Sequence, residues 1–249
     1  MPTWGLFGPV HIITLIAAVL INIALYFILK KLSAKTQRIV LFVLSFAGLA
    51  TIIYNLVSWG RPLEYLPLHL CSLNAMILPF SVWTRNKTTC NLLLLWSFGA
   101  LFALVALPHT SQEMVLFSWP FNFFYFPHVL ELGIPILMFA LKLVKPDPKC
   151  IISTLGITLG AYTVIHFINL AINNAQLLDF NGEVIGVYYM FSVYSPEYNN
   201  PVLDILHNIL PYDYWYLLLS VPVIVLYLMC WYLPGIIKAR KNKKNEITE

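Results

Sequence analysis

The chain contains seven apolar stretches, each close to the roughly 20 residues that an α-helix needs to cross a bilayer. They run over Pro9–Leu32, Ile39–Trp59, Leu66–Trp83, Cys90–Leu107, Phe121–Val144, Cys150–Ile172 and Tyr214–Ile237. Only 10% of the residues are charged, which is too few to supply the polar surface of a water-soluble domain. The sequence therefore predicts an all-α, polytopic membrane protein, with a single seven-transmembrane-helix bundle over residues 1–237 and a basic cytoplasmic tail over 238–249.

The distribution of Lys and Arg predicts the orientation of this bundle. In the seven-span arrangement, every Lys and Arg except Arg61 falls on one side of the membrane. Cytoplasmic loops carry an excess of these residues, so we expect the N-terminus outside and the C-terminus in the cytoplasm. The formal net charge of +4 is too small an excess to indicate a nucleic-acid partner.

The histidines all fall in or near the outer leaflet of the predicted bundle. We interpret His11, His109 and His207 as interfacial side chains, which combine an apolar body with a polar tip. The remaining three are candidate functional residues: His69, His128 and His166.

The fifth span carries an acid deep in its apolar sequence. Glu131 follows His128 by three residues, so the two side chains share a helix face. A charged group at the centre of a span costs about 2.5–3.5 kcal/mol on insertion scales, which favours a functional role for the pair. We also expect Pro127 to break or kink this helix.

The third span combines a thiol with polar neighbours. Pro67 is predicted to start the helix, which places His69 and Cys71 in its first turns, with Asn74 on the same face as Cys71. The partial positive charge of a helix N-terminus stabilises a thiolate. Cys71 is therefore the candidate nucleophile, with His128 as its base and Glu131 or Asn74 orienting that base.

The other three cysteines are predicted to lie in the inner half of the bundle, where they act as small apolar filler: Cys90, Cys150 and Cys230. Cys71 then has no partner for a disulfide on its own side. The histidines, Glu131 and Cys71 do not follow the spacing of a recognised zinc motif, so no metal and no other cofactor is predicted.

The sixth span presents amides on one face. His166, Asn169 and Asn173 follow the three-or-four-residue spacing of a helix face. Together with Asn74, they are predicted to bind substrate in an outward-facing pocket.

The connection between the last two spans is long enough to act as a lid. It covers residues 173–213, and loops of this length in compact domains are often functional. Asn200 and Pro201 are typical of a helix start, which predicts a short amphipathic helix over Val202–Leu210. The loop either covers the site or is a passive interfacial segment.

The run LPLHLCSLN at Leu66–Asn74 resembles the signature of the YwaF-like integral membrane proteins. That family is similar to a eukaryotic multi-span group, transmembrane protein family 164, which is implicated in acyl transfer to lysophospholipids through a cysteine. The resemblance extends to the number of spans and to a histidine some 57 residues further on, at the position of His128. It implies that Cys71 is the acyl-accepting nucleophile and His128 its partner.

The sequence hypothesis is thus a thiol-dependent acyltransferase, or a lipid ester hydrolase, in a bacterial plasma membrane. Its substrate would be a phospholipid, a lysophospholipid or another lipid acyl ester of the outer leaflet. Two alternatives remain open. One is a permease or binding protein for a small polar solute, with His128, Glu131 and His166 as ligands or proton relay. The other is a purely structural partner subunit.

Overall fold

A computed structural model describes residues 2–58, 62–179, 181–196, 198 and 200–248, and beyond residue 237 it describes the main chain only. Within these residues the chain is helical, with the following α-helices: α1 Pro9–Lys30, α2 Ala34–Leu44, α3 Ala47–Ser58, α4 Leu70–Thr84, α5 Lys87–Val105, α6 His109–Gln112, α7 Trp119–Ala140, α8 Ile151–Asn174, α9 Pro201–Ile209 and α10 Val221–Thr248. Short 3-10 turns cover Pro148–Cys150, Tyr189–Phe191 and Tyr216–Ser220. Arg61, and the side chains of the basic tail, lie outside the described residues.

Six helical segments of the described chain are long and apolar enough to cross a membrane. They are Pro9–Lys30, Ala34–Ser58, Lys87–Val105, Trp119–Ala140, Pro148–Asn174 and Tyr216–Ile237. The second of these joins α2 and α3 across a short turn at residues 45–46. These segments confirm a multi-pass helical membrane protein.

The predicted third span is shorter than expected. Helix α4 has 15 residues, or about 22 Å at 1.5 Å per residue, against a hydrocarbon core of about 30 Å. It begins at Leu70, and Pro67 lies in the turn before it, so the prediction that Pro67 starts this helix is wrong. The reason is local, because the Leu68 N–H bonds the Leu66 carbonyl at 2.7 Å and His69 is extended, with φ −74° and ψ 154°.

Helix α7 is the centre of the bundle and packs against α1, α3, α4 and α5. It continues through Pro127 and Pro135, so the predicted break at Pro127 is wrong. A proline lacks the N–H that would bond the carbonyl four residues earlier, here Phe123 and Glu131. Side chains of the neighbouring helices supply the missing donors, and α7 therefore stays continuous.

Two polar side chains bond the carbonyls that the prolines leave free. The Thr51 hydroxyl of α3 donates to the Phe123 carbonyl at 2.8 Å, and the Asn74 amide of α4 donates to the Glu131 carbonyl at 3.4 Å. Buried main-chain carbonyls need such partners, most of all inside a bilayer. These two bonds also tie α3 and α4 to the central helix.

The described part of the long connection after α8 contains the predicted short helix. Asn200 caps α9, because its side-chain oxygen accepts hydrogen bonds from the N–H groups of Val202 and Leu203 at 3.0 and 3.1 Å. Leu203 is buried, while Ile205 and Ile209 are exposed. The prediction of an amphipathic helix here is confirmed.

Candidate functional site

Cys71 is the second residue of α4, and it lies at a helix N-terminus whose amides are available. The His69 side chain does not cap the helix, and the first main-chain bond of α4 runs from Leu73 to the His69 carbonyl at 2.9 Å. The N–H groups of residues 70–72 therefore have no acceptor within the helix. The hydroxyl of Ser72 and the main-chain amides of Cys71 and Ser72 lie within hydrogen-bonding reach of the Cys71 sulfur.

The hydrogen bond between α4 and α7 relates the level of Cys71 to that of His128. Asn74 bonds the main chain of Glu131, and earlier along both helices His69 interacts electrostatically with His128. The two helices therefore run in the same direction. One turn before Asn74 is Cys71, and one turn before Glu131 is His128, so these two residues occupy the same level.

Glu131 also lies close to the thiol, near enough for the two groups to interact electrostatically. Its side chain is buried, with only 4% of its surface exposed. A carboxylate so near would oppose the formation of a thiolate, because like charges repel strongly where water is excluded. A thiolate at Cys71 would therefore be favoured by a neutral Glu131.

The hydrogen bonds of the two central histidines define complementary tautomers. Nδ1 of His128 lies 2.6 Å from the Phe124 carbonyl, which only accepts, so Nδ1 carries the proton and Nε2 of the neutral ring is a free base. Nδ1 of His69 accepts the Met190 N–H at 3.3 Å, so Nε2 of its neutral ring is a donor. The group that orients His128 is thus the Phe124 main chain, rather than Glu131 or Asn74 as expected.

Gly48 of α3 makes room for the acid. A Cβ at this position would stand 2.7 Å from Oε1 of Glu131 and 2.5 Å from the Cβ of Ala75. Two acceptor oxygens here are buried and have no partner among the described atoms, namely Oε2 of Glu131 and Oδ1 of Asn74. Buried oxygens without a hydrogen-bond partner are energetically costly, so these two oxygens are suited to accept hydrogen bonds from a substrate.

A strained turn of the outer connection covers His69. Met190 and Phe191 have φ values of 53° and 54°, in the left-handed region that side chains other than glycine rarely adopt. The rings of Tyr189 and Phe191 each lie 5.6 Å from the His69 ring. The segment that contacts this site is therefore the turn Tyr189–Phe191, while α9 packs against Tyr216–Ser220.

The polar face of α8 holds this turn in place. Asn169 donates to the Tyr189 carbonyl and to Ser192 Oγ, both at 2.8 Å, and it accepts the Tyr189 N–H at 3.1 Å. Asn173 makes a similar two-way pair with Val187, at 3.0 and 2.8 Å.

His166 completes this face, with Nδ1 donating to the Ser192 carbonyl at 3.1 Å. The predicted substrate-binding residues of α8 thus contact the outer connection, and of that set only Asn74 touches α7. A substrate role for the α8 residues stays a prediction.

The other histidines have structural partners. His11 is buried, accepts the Phe7 N–H at Nδ1 and donates from Nε2 to the Leu104 carbonyl. His109 pairs with Asp204 at 3.1 Å, and His207 stacks on Tyr194 at 3.7 Å between ring centroids. All four cysteines are free thiols. The described residues contain no group of three or more His, Cys, Asp and Glu side chains that could hold a metal ion.

The sequence did not indicate three contributors to this site: Thr51, Gly48 and the turn Tyr189–Phe191. The two prolines of α7 signal that the carbonyls of residues 123 and 131 need donors, but the spacing does not say which helix supplies them. The role of Gly48 depends on the crossing of three helices. No local pattern predicts such a crossing.

Fold and site together define a multi-pass helical membrane protein in which a partly buried thiol, a buried imidazole and a buried carboxyl group lie where α4 meets α7. The chain belongs to the TMEM164 family, whose model matches residues 6–232. This match confirms the resemblance to the eukaryotic group, while the closer likeness to YwaF-like proteins stays a prediction. Among curated proteins and solved structures, no significant match was found.

Proposed function

We propose that this protein is a membrane-embedded, thiol-dependent acyltransferase that acts on lipid esters. The observation that carries the proposal is the register of α4 against α7, which relates Cys71 to His128, together with the electrostatic interaction of Glu131 with the thiol. Nucleophilic acyl transfer by a thiol needs a base that takes the thiol proton, and the Nε2 lone pair of a neutral imidazole can be that base.

The proposed reaction has two half-steps. Nε2 of His128 takes the Cys71 proton, and the sulfur attacks the carbonyl carbon of a phospholipid ester. The carbon–oxygen bond breaks, the departing lysophospholipid oxygen takes the proton from His128, and an acyl-thioester remains on Cys71. In the second half-step, His128 takes the proton of an acceptor hydroxyl, and the oxygen attacks the thioester carbonyl. The carbon–sulfur bond breaks, and the departing Cys71 sulfur takes the proton from His128, which regenerates the thiol.

The surroundings of Cys71 support each stage of this scheme. The N–H groups of residues 70–72, which have no acceptor within the helix, would be donors for the oxyanion that forms on the ester carbonyl. The unpaired oxygens of Glu131 and Asn74 are acceptors for the hydroxyl of an incoming lysophospholipid. Water in place of that hydroxyl would make the enzyme a lipid ester hydrolase.

We further propose that α4 is a seventh, short span and that the bundle has its N-terminus outside. The site then lies near the outer headgroup layer of a bacterial plasma membrane, where lipid esters lie. The Lys and Arg distribution supports this orientation. The strained turn Tyr189–Phe191 would act as the lid over His69, held by the polar face of α8.

The proposal is tested by acyl transfer in proteoliposomes. The donor is a phosphatidylcholine with a labelled acyl chain, and the acceptor is an unlabelled lysophosphatidylethanolamine. We expect labelled phosphatidylethanolamine with the unmodified protein and none with Cys71→Ala. His128→Gln should slow transfer by about 10²–10⁴-fold, the usual contribution of a general base.

The matched control is Cys230→Ala, which removes an exposed thiol elsewhere in the bundle and should leave transfer unchanged. Mass spectrometry of acid-quenched protein should find the acyl group on Cys71. Full activity of Cys71→Ala would overturn the proposal. So would uptake of a polar solute that survives Cys71→Ala without any acyl transfer, because that result fits the permease.

A further inference from the structure

A cleft lies between the N-terminus of α2 and the C-terminus of α4, and three cationic side chains line it. It has a volume of about 270 Å³ and is lined by Ala34, Lys35, Arg38 and Arg85. No carboxylate belongs to its lining. Cations repel one another when they converge without an acid, so this arrangement favours a bound anion.

Arg38 is fixed in this cleft by an aromatic ring. Its guanidinium lies 4.9 Å from the centre of the Trp83 ring, which belongs to α4. Its Nε atom is buried and has no hydrogen-bond partner among the described atoms. The planar fork of an arginine matches the oxygens of a phosphate, and a ring beneath it reduces the entropy lost on binding.

The N-terminus of α2 adds to the positive potential of the cleft, whereas the C-terminal end of α4 carries partial negative charge. Ala34 and Lys35 are the first residues of α2, whose N-terminus carries partial positive charge. Arg85 ends α4 in a left-handed conformation with φ 54°. The cleft thus lies between the end of one helix and the start of another.

The helices that form the cleft also carry exposed apolar side chains. They include Ile39 and Val43 of α2 and Phe80 of α4. This surface suits acyl chains that extend from a phosphate held by the cations. A cavity of this size is smaller than the roughly 300–1,000 Å³ of a drug-sized pocket, as befits a single headgroup.

We propose that this cleft binds the phosphate headgroup of an anionic lipid, on the face of the bundle away from Cys71. Basic pockets between transmembrane helices on the cytoplasmic side are suited to such headgroups. The site is separate from the proposed acyl-transfer centre, and its proposed function is binding rather than catalysis. Its role is to anchor α2 against α4.

The test measures binding to the full-length protein in a neutral detergent. The probes are a short-chain phosphatidic acid, the phosphatidylcholine with the same chains, and inorganic phosphate. We expect phosphatidic acid to bind more tightly than either of the others. The double variant Lys35→Gln with Arg85→Gln should raise its Kd by at least about tenfold, because charged hydrogen bonds are lost.

The matched control is Lys142→Gln with Lys145→Gln, which removes the same charge outside the cleft and should change the Kd by less than about threefold. Equal effects of the two double variants would overturn the proposal, because they would indicate general attraction to a basic surface. Equal affinity for the two lipids would also overturn it. If inorganic phosphate binds as tightly as phosphatidic acid, the ligand is a free anion and the lipid assignment is wrong.

Discussion

Asn74 of α4 donates its side-chain amide to the main-chain carbonyl of Glu131 in α7, over 3.4 Å. This carbonyl is the one that Pro135 leaves without a helical partner. The same bond fixes the register that brings Cys71 level with His128. One contact therefore completes the central helix and aligns the candidate site.

Replacing Asn74 should therefore destabilise the bundle as well as the site. Asn74→Leu leaves the Glu131 carbonyl buried without a donor, which costs about 1–3 kcal/mol of unfolding free energy. Thermal unfolding in detergent measures the loss. Asn91→Leu is not a suitable control, because that side chain is also bonded, to Asp147 and Tyr232. Asn174→Leu changes an exposed amide of α8, and its stability should stay within about 0.5 kcal/mol of the unmodified protein.

Thr51 gives an independent test of how α7 tolerates its prolines. Thr51→Val keeps the shape of the side chain but removes the hydroxyl that bonds the Phe123 carbonyl, so it should cost about 1–3 kcal/mol. Thr51→Ser keeps the hydroxyl and should recover most of that loss. If valine and serine behaved alike in the same unfolding assay, the hydroxyl would not be the group that completes the helix.

A methyl group at position 48 should displace the carboxyl group of Glu131. The Cβ of Gly48→Ala would meet both Ala75 and Glu131, and overpacking of this kind costs about 1–3 kcal/mol. Acyl transfer should fall with it, because Glu131 is displaced. Gly156→Ala is the matched control, since nothing lies within 4 Å of its Cβ position. Alanine there should stabilise the helix by up to about 1 kcal/mol. A stabilised Gly48→Ala would contradict the close approach of α3, α4 and α7.

The outer connection should open when its anchor is removed. Asn169→Leu loses three hydrogen bonds to Tyr189 and Ser192, so the turn over His69 is released. With Cys90, Cys150 and Cys230 changed to alanine, an impermeant thiol reagent should then label Cys71 faster. The exposed neighbour Asn174→Leu should leave the rate unchanged. An unchanged rate in Asn169→Leu would show that this turn does not limit access to Cys71.

Acid should weaken the link between α5 and the start of the α8 segment. The side chain of Lys87 beside Asp147, together with the Lys149 N–H at 2.9 Å, lowers the pKa of the Asp147 carboxyl below its ordinary value of 3.8. A lowered folded pKa contributes stability that is present above the ordinary value and is lost as the pH falls through the folded pKa.

Unfolding measured from about pH 5 down to about pH 2 should therefore show a fall in stability that Asp147→Asn reduces. Lys87→Gln should reduce the same fall, because it removes the partner of the same carboxylate. A slope unchanged in both variants would assign the acid sensitivity to other groups.

The sequence by itself determined that this chain is a helical, multi-pass membrane protein. Apolar stretches of bilayer length leave few other ways to pair the main chain in lipid, so they predicted seven spans, and six helical segments of the described chain are long and apolar enough to cross a membrane. The Asn-Pro pair at residues 200 and 201 likewise predicted the start of α9. Cys71, His69, His128 and Glu131 stood out because polar groups are rare and costly in such stretches.

Only the tertiary structure decided which of these groups meet. Pro127 suggested a broken or kinked helix, but α7 continues through Pro127 and Pro135, and donors from α3 and α4, which are remote in sequence, bond the carbonyls that the two prolines leave free. The amides of α8 looked like substrate ligands, yet they bond the outer connection, since a helix face does not reveal what packs against it. Whether Cys71 lies level with His128 depends on the register of α4 against α7, and that register is set between residues 57 positions apart in the sequence. The local sequence pattern does not predict this register, because side-chain packing between the helices determines it.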